Sequence, residues 1–84
     1  MHLKSGERQH VLVVDDDEAL GKVLEALLRQ AKLDATYVPS GVAALEALER
    51  RPFDLVITDL RIPGMDGMAL LGHLTTRWPS LPVV

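Results

Sequence analysis

The chain contains no cysteine, which excludes a disulfide framework and any metal site built on thiolates. It has no apolar run approaching the roughly 18 to 20 residues needed to cross a bilayer. The first ten residues, MHLKSGERQH, lack the apolar core of a secretory signal. A cytoplasmic protein with no membrane partner is the expectation. Positive charge is also scarce: nine Lys and Arg stand against twelve Asp and Glu, for a net charge of −3. The basic residues are scattered, so direct nucleic-acid binding by this segment is not expected. Neither G-x-G-x-x-G nor G-x-x-x-x-G-K-[ST] occurs, which removes dinucleotide-binding and P-loop folds. There is no internal repeat, low-complexity tract or linker. What remains is one small domain of 84 residues, 48% hydrophobic and 25% charged, too apolar for disorder.

The apolar residues alternate between two periods. Residues 10–14, HVLVV, form a run without polar alternation, which suits a parallel strand buried on both faces. From residue 17 to about residue 32 apolar side chains recur at Leu20, Val23, Leu24, Leu27 and Leu28, the stripe of an amphipathic helix. LDATYVP reads as a second strand closed by Pro39, and Ser40 as the N-cap of a helix over 41–51. Val42, Leu45 and Leu48 are expected to line its inner face. FDLVITD gives a third strand after Pro52, and RIPGMDG is a loop by its Pro and Gly content. A third helix is expected over 68–78, with Leu70, Leu71, Leu74 and Trp78 inward and Pro79 as its stop. LPVV opens a fourth strand. The expected fold is α/β, a parallel sheet with helices on both faces and the order βαβαβαβ, joined by right-handed crossovers.

Asp15, Asp16 and Asp17 follow the first strand directly, and Asp59 follows the third. If these strands are neighbours, as in a 2-1-3 order, the carboxylates gather beyond the carboxyl ends of the strands, where such sheets bind ligands. Clustered carboxylates raise one another's pKa, and a hard divalent cation removes that penalty. Mg²⁺ takes oxygen ligands of this kind. A carboxylate beside the ion can act as a nucleophile toward phosphorus while the ion screens the transferred phosphoryl oxygens. The constellation fits phosphoryl transfer to Asp59.

VLVVDDDEAL, DLVITDLRIPGMDGMALL and LPVV together resemble the receiver domain of bacterial two-component response regulators, a flavodoxin-like fold. The likeness runs from His10 to Val84, with residues 1–9 as a tail and 10–84 as a partial receiver domain. Its wording is similar to the nitrogen-regulation type of transcription regulator. The resemblance implies that Asp59 accepts a phosphoryl group from a histidine kinase. It implies that Asp15 and Asp16 hold Mg²⁺, Asp16 being the stronger candidate for direct ligation, together with Asp59 and the backbone carbonyl of Arg61. Pro63 and Gly64 match the turn of the following loop, and Gly67 falls where the next helix begins. A receiver ordinarily continues past its fourth strand to a fifth strand and two further helices. The sensing Ser or Thr and the Lys that pairs with it lie in that continuation. Without it, part of the face beside the first helix is expected to be bare and the fourth strand to be an open edge. Either the chain is a piece of a longer one, or it completes itself as a homodimer or domain-swapped oligomer.

The plainer roles of these residues are specific. Asp17 is expected to cap the first helix, and Asp66 the third. His2, His10 and His73 have no metal-ligand spacing, the leucine stripes are core, and Trp78 is a core or helix-end residue. The competing function is a receiver-like binding or dimerisation module that cannot be switched. A phosphohydrolase of the haloacid-dehalogenase type needs D-x-D-x-[TV] after its first strand, which DDDEA does not supply. The chain is therefore expected to be a signalling phosphoacceptor that catalyses at most its own phosphorylation, not a true enzyme.

Overall fold

The aliphatic run VLVV after His10 forms the central strand of a parallel sheet, because only a strand covered on both faces can bury all four. The computed structural model describes residues 9–58 and 67–84. Its elements are β1 (His10–Val14), α1 (Glu18–Gln30), β2 (Asp34–Val38), α2 (Gly41–Arg50), β3 (Leu55–Thr58) and α3 (Gly67–Arg77). The sheet order is β2-β1-β3, all parallel. Val83 adds a parallel bridge to Val56, held by hydrogen bonds between Val56 and Pro82, Thr58 and Val84, and Val84 and Val56 of 2.8–3.0 Å. The expected fourth strand thus starts beside β3. Val11, Leu12, Val13 and Val14 are all buried. Alternate members face opposite sides of the sheet. Leu12 and Val14 join Val56, Ala44, Leu48, Leu70 and Leu74 in a core under α2 and α3, while α1 packs over β1 and β2.

Two inner faces differ from the expected stripes. In α2 the buried residues are Gly41, Ala44 and Leu48, with Leu45 half-buried and Val42 54% exposed. The face starts one residue early, at the buried Gly41; Val42 lies about 100° around the axis from it. In α1 the inward row is Gly21, Leu24, Glu25 and Leu28, whereas Leu20, Val23 and Leu27 are 47%, 54% and 55% exposed. Three of the five residues of that stripe are therefore not core.

Helix ends follow local chemistry. Ser40 is extended and its hydroxyl accepts from Ala43 N–H, so the expected cap forms. At the end of α1 Lys32 takes φ 70°, the left-handed region. Lys32 N–H bonds Arg29 carbonyl and Leu33 N–H bonds Leu28 carbonyl, both at 3.0 Å, the paired bonds of a Schellman ending. In α3 Leu70 and Leu74 are buried, Leu71 is half-buried, and Trp78 packs against the core. Among the described residues no helix is long and apolar enough to cross a membrane.

Candidate functional site

The site forms where β1 runs out. Asp15 is only 6% exposed, although a carboxylate is expensive to bury. Three bonds hold the residue in place. Its N–H donates to Val38 carbonyl at 3.2 Å, its carbonyl accepts from the Tyr37 hydroxyl at 2.7 Å, and its Oδ1 accepts from Asp17 N–H at 2.8 Å. Asp16, the next residue, is exposed and has no such restraint among the described residues. Asp17 turns into α1 as its N-cap, with Oδ1 accepting from Leu20 N–H at 3.1 Å. Glu18 occupies the first turn, where the positive end of the helix favours an acid. One carboxylate is thus fixed, one is free and one is spent on the helix.

Tyr37 is a functional-site residue that the sequence did not reveal. It stands in β2, its N–H donates to Glu25 Oε2 at 3.1 Å, and its ring covers Gly21, where a Cβ would collide with it. Lys22 Nζ lies 6.0 Å from the ring centroid. Desolvation raises the phenol's pKa above its usual value, and the negative field of Glu18, Asp15, Asp16 and Asp17 raises it further. The available signal was the chain's single tyrosine at the end of a strand beside the one that precedes DDD. Nothing in that position alone distinguishes a strut from an ordinary strand aromatic.

β1 and β3 are neighbours, with Val14 in register with Thr58, as the convergence of the two acidic positions requires. Asp59 follows Thr58 in sequence and, with Arg61, Pro63, Gly64 and Asp66, lies outside the described residues. His2 and most of the tail assigned to residues 1–9 lie outside them as well. An oxygen-only donor set such as Asp15 and Asp16 suits a hard cation. Among the described residues no group of three His, Asp or Glu is placed to hold an ion; the two further expected donors, Asp59 and the Arg61 carbonyl, are not among these. His10 is engaged structurally: its N–H donates to Asp54 Oδ2 at 2.7 Å, and Arg51 Nη2 lies 2.6 Å from its Nδ1.

A three-stranded parallel sheet in 2-1-3 order, helices on both faces and acids at the end of the central strand define a flavodoxin-like receiver fold. The family model for the response regulator receiver domain matches residues 11–84, and the chain belongs to that family. It is 45% identical over 78 residues to the DNA-binding transcriptional regulator NtrC of Escherichia coli K12, covering 93% of this chain and 17% of that protein. It is 47% identical over 74 residues to the response regulator protein FleR of Pseudomonas aeruginosa, covering 88% and 16%. The chain thus spans about a sixth of the curated relatives it matches. Among solved structures, the non-phosphorylated HemR receiver domain from Leptospira biflexa aligns with a TM-score of 0.84 at 32% identity, over 90% of this chain and 61% of that one. The chemotaxis regulator CheY4 of Vibrio cholerae aligns with a TM-score of 0.88 over 92% and 66%, at 23% identity, a likeness of fold alone. The chain is a signalling module of the two-component type.

Proposed function

We propose that this receiver takes a phosphoryl group from a histidine kinase onto Asp59. In this reading Asp15, Asp16, Asp59 and the Arg61 carbonyl hold Mg²⁺, which when bound neutralises charge on the transferred phosphoryl oxygens. The observation that carries the reading is the contrast between Asp15 and Asp16. A residue pinned by two backbone bonds and one to its carboxylate stands next to one left exposed, beside the end of the strand that leads into Asp59. Asp59 carboxylate oxygen forms the bond to phosphorus as the bond to the donor breaks. Asp15 and Asp16 orient the site without becoming phosphorylated. In this reading the receiver works in the cytoplasm, and its likeness to the DNA-binding transcriptional regulator NtrC supports a role in the control of transcription.

The test is intact-mass spectrometry after incubation with acetyl phosphate. A gain of one phosphoryl group is expected with Mg²⁺ and not with EDTA, and Asp59→Asn abolishes it. Asp16→Asn, at an exposed position, leaves the fold intact and reduces the gain. An unmodified, folded chain under every condition would sink this reading in favour of a receiver-like module that binds without being switched.

A second partner reading rests on α1. With Leu20, Val23 and Leu27 about half exposed along one face, we propose that a second copy of the chain covers that face as a homodimer.

A further inference from the structure

A second feature lies at the amino end of β3, opposite the acidic site. The end of α2, the segment 51–54, the end of α3 and the segment 78–82 enclose an open groove of about 680 Å³. Its chemistry runs against that of the whole chain. Three arginines, Arg50, Arg51 and Arg77, line it in a protein of net charge −3. Two of them lie over aromatic rings. The Arg77 guanidinium is 4.6 Å from the Trp78 ring centroid and Arg51 is 5.4 Å from that of Phe53.

The two acids of the groove are already engaged. Glu49 pairs with Arg77 at 3.4 Å, and Asp54 accepts the His10 N–H at 2.7 Å. Arg51 is also held, at 2.6 Å from His10 Nδ1. Arg50 is exposed at the last turn of α2 and makes no pair among the described residues. The groove therefore offers one open guanidinium, a second whose only acid partner is a half-exposed Glu49, and a half-buried aromatic floor. Its rim carries Pro52, Pro79 and Pro82, which have no N–H to donate.

We propose that this groove binds an acidic peptide segment of a partner protein, with an apolar side chain seated between Phe53 and Trp78. Its carboxylates meet Arg50 and Arg77, whose guanidinium groups pair with carboxylates through forked hydrogen bonds. A phosphate-dense polyanion fits less well. Nucleic acid needs several free cations along its backbone, whereas this groove has one, beside two carboxylates. The proposal goes beyond phosphoacceptance at Asp59 and does not depend on it.

Trp78 is the only tryptophan, so its emission reports occupancy directly. The full chain is titrated with an acetylated peptide of sequence EDELFDE, with the same peptide carrying Gln for every acid, and with a single-stranded oligonucleotide of equal charge. The acidic peptide is expected to shift Trp78 emission saturably, the Gln peptide and the oligonucleotide not to. Arg50→Glu, at an exposed position, should weaken the peptide by up to about fivefold, the equivalent of one exposed ion pair. The proposal is overturned by an unresponsive Trp78, by equal response to the Gln peptide or the oligonucleotide, or by a response that Arg50→Glu leaves unchanged.

Discussion

Gly21 and Tyr37 show how one residue of the fold constrains the site. Glycine inside a helix costs about 0.5–1 kcal/mol relative to alanine, so propensity alone favours Gly21→Ala. A Cβ at that position meets the Tyr37 ring, whose hydroxyl is tied to Asp15 carbonyl and cannot swing clear without breaking that bond. Overpacking costs about 1–3 kcal/mol, and it wins. Gly21→Ala is expected to lower stability in urea denaturation despite the better helix former; a gain would show that the ring yields freely. Tyr37 also sets a pH dependence. Burial and the neighbouring acids raise its pKa in the folded chain, so folding favours the protonated phenol. That stability is fully present below the ordinary tyrosine value of about 10 and is lost as pH rises through the raised value. Because Tyr37 is the only tyrosine, absorbance at 295 nm follows it alone. The midpoint is expected above the ordinary value, and Glu18→Gln should move it down.

At the scale of elements, what was legible in the sequence and what was not divide by physical cause. Strand 10–14 and the cap residues Asp17 and Ser40 were legible because their signals are local: an aliphatic run, and an oxygen three residues before a free N–H. The rotation of α1 and α2 was not, because it depends on what each helix meets. Gly21 under Tyr37 and the buried Gly41 lie on the inner faces, and glycines carry no hydrophobic signal of their own. The candidate site was legible only as a charge pattern. DDD marked the place, but the division of roles among Asp15, Asp16 and Asp17 came from backbone bonds that no side-chain pattern announces. The end of α1 is a similar case, since no glycine stands at Lys32 to mark its left-handed turn. A Cβ there costs about 1–2 kcal/mol, partly offset by the extra freedom glycine has when unfolded. Lys32→Gly is therefore expected to raise stability by about 0.5–1 kcal/mol, read as a higher denaturation midpoint at unchanged slope.

At the scale of the whole molecule the two ends of the sheet carry opposite chemistry, acids beyond β1 and arginines before β3, and one flank is apolar and open. The strength of association on that flank can be bounded. Leu20, Val23 and Leu27 are each about half exposed, so covering the rest of each is worth about 1 kcal/mol, or about 6 kcal/mol for two copies. Loss of translational and rotational freedom costs about 4–15 kcal/mol. The face alone therefore supports only a weak dimer. The balance is at most about 2 kcal/mol, a Kd no tighter than tens of millimolar, so in sedimentation velocity the chain is expected to run as a monomer at micromolar concentration and to shift only slightly toward dimer near the millimolar range. Val23→Glu with Leu27→Lys should remove that shift while leaving stability within about 0.5 kcal/mol, since both positions face solvent. A compact monomer at the highest concentration would rule the dimer out. A tight dimer that survives both substitutions would place the contact elsewhere on the molecule, away from the outer face of α1.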